Sequence, residues 1–93
     1  MKASEYRERS ETRLTRYRER LEARMNEHSV VAGKRELARK KLETMEVILR
    51  ATVARAAQDG TVTELEAEQI KELGKRYREE LYHELGFERG KGE

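Results

Sequence analysis

The chain has 93 residues, of which 21 are Lys or Arg and 19 are Asp or Glu, leaving a net charge of only +2. Apolar residues make up 35% and aromatic residues 5%, so a single small domain with a thin core is the most the chain can build. Cysteine is absent, which excludes disulfides and thiolate metal sites, and proline is absent, so nothing forces a helix to break.

The first predicted element is a helix over about residues 4–28. It rests on an 11-residue repeat, YRERSETRL at 6–14 followed by YRERLEARM at 17–25. Eleven residues in three turns is close to the pitch of a straight helix, so equivalent positions stay on one side throughout. A helical wheel puts Tyr6, Leu14, Tyr17, Leu21 and Met25 on an apolar seam, with Arg9, Arg13, Arg16, Arg20 and Arg24 in a row beside it. Glu8, Glu11, Glu19 and Glu22 fall on the far side. Burying a large apolar side chain contributes about 1.5–3 kcal/mol, whereas ordering one residue's backbone costs about 1–2 kcal/mol. The seam is too thin to hold a helix of that length alone. It requires a neighbour, either the rest of the chain or another copy, and the arginine row suits an acidic partner helix, as flanking charges do in coiled coils.

Residues 28–33, His-Ser-Val-Val-Ala-Gly, weaken the helix with two β-branched side chains and a glycine, and Ser29 is a candidate N-cap. The basic run KRELARKK follows, with Lys34, Arg35, Arg39, Lys40 and Lys41. Cations in a first turn oppose the helix dipole, so the second helix should start earlier, near Ser29, or continue from the first. The composition predicts a bend. The second helix then covers about 30–58, with Val31, Ala38, Leu42, Met45, Leu49, Val53 and Ala56 on a common face. Its stretch 45–57 is the most apolar of the chain, which predicts a central helix touched on more than one side.

Asp59-Gly60 signals a turn. Thr63 with Glu66 reads as a capping box, and Val62 is placed to staple onto Ala67. Ile70, Leu73, Tyr77, Leu81 and Leu85 line one face of a third helix over 63–85, and Gly86 with Phe87 suits a left-handed end with an apolar contact backwards. The remainder, 87–93, reads as a polar tail of the single domain 1–93. The fold class is all-α: an antiparallel helical hairpin (about 30–58 and 63–85) plus a long N-terminal helix (about 4–28), as a three-helix bundle or an oligomeric helical assembly.

Motifs that carry chemistry are sparse. Asp59-Gly60-Thr61-Val62-Thr63 with Glu66 resembles the second half of an EF-hand calcium loop. Arg55 and Ala57 stand where the first ligands belong, which leaves too few oxygens for calcium. Glu80 and His83 have the Glu-x-x-His spacing of di-iron bundles, but His83 falls on the solvent side, and the other histidine, His28, has Met25 in the glutamate's place. With no nucleophile–base pair and no phosphate cradle, no enzyme activity, metal, cofactor or small-molecule substrate is expected. No apolar run reaches the length of a membrane span and the first residues lack the apolar stretch of a secretory signal. The expected location is therefore the cytoplasm or the inside of a virion, with no membrane partner.

What remains is surface. The expected function is that of a non-enzymatic helical protein–protein interaction or assembly protein. It would self-associate as a homo-oligomer, or dock another protein, through the seam of the N-terminal helix and its flanking arginines. The alternative is a nucleic-acid-binding protein using Lys34, Arg35, Arg39, Lys40 and Lys41 with the arginine stripe, since such contacts to phosphate supply sequence-independent affinity. A net charge of +2, and the scatter of these five around their helix, weigh against it.

Overall fold

The computed structural model describes residues 1–87, and they form three helices: α1 (Ala3–Glu27), α2 (Ala32–Ala56) and α3 (Glu64–Leu85). The thin seam of α1 finds its neighbour within the same chain. Tyr6, Leu14, Tyr17, Leu21 and Met25 are all buried, Met25 completely, and they share one core with Leu42, Met45 and Leu49 of α2 and Ile70 and Leu81 of α3. Of the glutamates on the far side of the α1 wheel, Glu11 and Glu22 face α2. Glu11 accepts two hydrogen bonds from Arg50, and Glu22 accepts two from Arg39. Partner numbers fall along α2 as they rise along α1, so these two helices run antiparallel. Lys41 pairs with Glu84, and Leu49 lies beside Gly74, which sets α3 antiparallel to α2 as well.

The helix α2 therefore sits between the other two. No Cα of α1 comes within 8 Å of one in α3; long side chains bridge the gap, as where the rings of Tyr17 and Tyr82 meet at 6.4 Å. Against the charged outer surface, Val47 of α2 is left 66% exposed on the side away from both neighbours.

The chain bends between α1 and α2, and Ser29 has a different role from the candidate N-cap. It adopts a left-handed φ of 49° just past the end of α1. Its N–H donates to the Asn26 carbonyl and the Val30 N–H reaches back to Met25, the double closure of a Schellman end. Val31 is the residue that precedes α2, and it makes no side-chain cap. The cations of the first turn of α2 are tolerated in part because Arg35 turns back. Its guanidinium donates to the carbonyls of Val30 and Met25 and to the Asn26 side chain, so it serves the negative end of α1.

The helix α3 begins with the capping box, Thr63 and Glu66 each accepting from the other's backbone N–H. It ends at Gly86, φ 75°, with Phe87 donating to the Tyr82 carbonyl. Phe87 is buried against Tyr82 and His28, so it belongs to the core and not to the polar tail; residues 88–93 lie outside the described residues. One contact has no counterpart in the helical pattern. The first residues lie antiparallel to the α2–α3 connection, Val62 donating to the Met1 carbonyl and Ala3 to the Gly60 carbonyl.

Candidate functional site

Of the arginine row beside the seam, Arg13 and Arg24 reach the α3 side of α1, while Arg9 and Arg16 line an open surface with Glu8 and Glu11 of α1 itself. Arg24 lies over the rings of Tyr82 and Phe87, at 5.1 and 5.3 Å. Arg13 stands on the rim of a groove whose opposite rim is formed by Lys71 and Arg78 of α3. Like charges thus face each other where the sequence suggested opposite ones. Lys71, Lys75 and Arg78 recur at helical spacing on one side of α3, and Arg9, Arg13, Arg16 and Arg20 continue the row on α1. Among the described residues none of these seven cations is in an ion pair. Arg18–Glu46, Arg39–Glu22, Arg50–Glu11 and Lys41–Glu84 pair instead at the seams of α2 with α1 and α3.

The groove has a volume of about 360 Å³. Its floor is apolar, made by Leu14, Met45, Leu49 and Ile70, all buried core residues contributed by the three helices. Tyr6 and Tyr17 form the α1 wall. Tyr17 is only 6% exposed, and its hydroxyl is buried with no hydrogen-bond partner. Burial pushes this hydroxyl well above the ordinary tyrosine value, reinforced by Tyr82 and opposed by Arg78, Arg20 and Arg24, so it remains an O–H donor. Burial also raises Tyr6, although the positive charge of Arg13 opposes the shift. The guanidinium of Arg78 lies 6.0 Å from the centre of the Tyr17 ring. It passes over Gly74, where an added Cβ would stand 3.2 Å from its terminal nitrogen.

A buried ion pair escaped the sequence pattern. Glu46 lies in the apolar stretch of α2 with its side chain only 5% exposed, and Arg18 of α1, half exposed, grips both its oxygens. The lone glutamate in that stretch was the available signal. Of the five basic residues considered for nucleic acid, Arg35, Arg39 and Lys41 are engaged within the chain, by the end of α1, Glu22 and Glu84. Lys34 and Lys40 are exposed. His28, Glu80 and His83 are also exposed, and no group of three or more metal-binding side chains gathers among the described residues.

No family model, no curated protein and no solved structure matches the chain. Among the described residues no helix is long and apolar enough to cross a membrane.

Proposed function

We propose that this is a non-enzymatic helical interaction protein that docks an acidic partner protein on the face shared by α1 and α3. The supporting observation is the group of cations outside any ion pair among the described residues: Arg13 faces Lys71 and Arg78 across the groove, and Arg9, Arg16, Arg20 and Lys75 continue the two rows along their helices. Uncompensated charge of one sign along a cleft draws an oppositely charged partner and sets its register. The N-terminal helix remains the docking element in this reading, but its contact residues are the arginines. Self-association through Tyr6, Leu14, Tyr17, Leu21 and Met25 would first require α1 to leave the core, since these five are buried there.

Poly-L-glutamate is a suitable probe. Titration at low ionic strength should show saturable binding that weakens steeply with salt. Arg13→Glu with Arg16→Glu and Lys75→Glu should weaken it about tenfold or more without altering the helical spectrum. Absence of binding at low salt would overturn the proposal. So would duplex DNA binding more tightly than poly-L-glutamate and depending on Lys34 and Lys40, which would favour the nucleic-acid alternative.

A further inference from the structure

The cations explain attraction at the rim of the groove but not its interior. Three features there go unused by a purely electrostatic contact. The floor is apolar and open; a tyrosine hydroxyl is buried without a partner; and a glycine occupies the middle of α3. Each has a cost. An unsatisfied buried hydroxyl loses its water without a replacement bond, and a glycine inside a helix is less favourable than an alanine. Close helix packing does not demand the glycine, because the nearest atoms to its absent Cβ are the ends of the Arg78 and Leu49 side chains. The space its Cβ would take is instead occupied by the Arg78 guanidinium, which reaches over Gly74 to the ring of Tyr17.

We infer that the groove is a binding site for a small anionic amphiphile, a carboxylate on an apolar body, with Tyr17 as hydrogen-bond donor to the carboxylate. At about 30 Å³ per atom, the volume of about 360 Å³ accommodates roughly a dozen non-hydrogen atoms. The apolar body lies on Leu14, Met45, Leu49 and Ile70, and the carboxylate meets Arg78 and Lys71 at the rim and reaches the buried Tyr17 hydroxyl once the Arg78 side chain over that ring swings aside. Convergent polar groups above an apolar floor are the usual composition of a small-ligand site. The sequence offered no motif for such a ligand, because its groups come from three separate helices. The inference shares the groove with the docking reading but stands on the hydroxyl and the floor, and the two are separable by experiment.

Octanoate is the probe, with 1-octanol as its uncharged counterpart. Octanoate should bind saturably in the submillimolar range, moving the amide resonances of Tyr17, Gly74 and Arg78, and 1-octanol should bind at least tenfold more weakly. Tyr17→Phe should weaken octanoate about tenfold. The same substitution should leave the free protein as stable or more stable, since it deletes an unsatisfied hydroxyl, and a merely structural tyrosine would not produce that split. Gly74→Leu, which puts a side chain into the groove where the flexible end of Arg78 now lies, should abolish octanoate binding with the helical spectrum retained. Poly-L-glutamate carries no apolar body, so its affinity should be insensitive to Tyr17→Phe. No octanoate binding at 10 mM, equal affinity for 1-octanol, or unchanged affinity in Tyr17→Phe would each overturn the inference.

Discussion

Ser29 and Gly86 stand at equivalent places, past the ends of α1 and α3, with φ of 49° and 75°. A side chain in the left-handed region crowds its own backbone at a cost of about 1–2 kcal/mol, partly offset because glycine is freer in the unfolded chain. Ser29→Gly should therefore stabilise the protein by about 0.5–1 kcal/mol and raise the thermal midpoint by several degrees. A midpoint unchanged or lowered in a circular dichroism melt would refute this account of the turn. The contrast between these positions also shows where the sequence is legible. Gly86 announces a left-handed end, whereas a serine suits an N-cap as readily, so the pattern alone points Ser29 to the start of α2 and not to the end of α1.

At the scale of the helix, periodicity located the seam of α1 and the faces of α2 and α3, because a 3.6-residue pattern is local information. Which neighbour satisfies a face is not. The wheel placed arginines beside the seam and glutamates beyond it, and nothing in α1 itself says which row meets α2. The structure gives that side to the glutamates, with Arg18 of α1 closing on Glu46. This pair makes an asymmetric prediction. Arg18→Ala leaves a buried carboxylate without its cation and should cost about 2–3 kcal/mol. Glu46→Leu leaves only a half-exposed guanidinium that water can solvate, and should change stability by less than about 1 kcal/mol. Urea unfolding of the two variants measures both. Equal losses would mean that the pair acts as a net attraction and not as the neutralisation of a buried charge.

For the molecule as a whole, the radius of gyration is 14.5 Å, against about 12 Å for a compact domain of this length. Its extents of 44 × 27 × 16 Å describe a flat body with α2 in the middle. In such a layout the α1–α2 contact relies partly on charge. Glu11 and Glu22 are held below the ordinary carboxylate value of 4.5, first by the hydrogen bonds from Arg50 and Arg39. A proton binds these groups more weakly in the folded state, so the stability they contribute is present above about pH 4.5 and is lost as pH falls through their folded values. Both pairs are largely exposed, so the effect is modest and screened by salt. The thermal midpoint should fall below about pH 4.5, and Glu11→Gln with Glu22→Gln should flatten part of that fall. An identical pH profile in the double variant would count against it. The groove was not legible for a related reason: it arises from the separation of α1 and α3, a distance that no local pattern encodes.

The pairing of residues 1–3 with 60–62 makes the first two helices the arms of a closed ring, fastened where the chain begins. It is held by backbone hydrogen bonds of Met1 with Val62 and of Ala3 with Gly60, whereas buried side chains hold α1 to the core along its length. Mechanically, then, the fastening is the weak link. Force applied between the two ends of the folded body should open the ring first, and only afterwards peel α1 from the core.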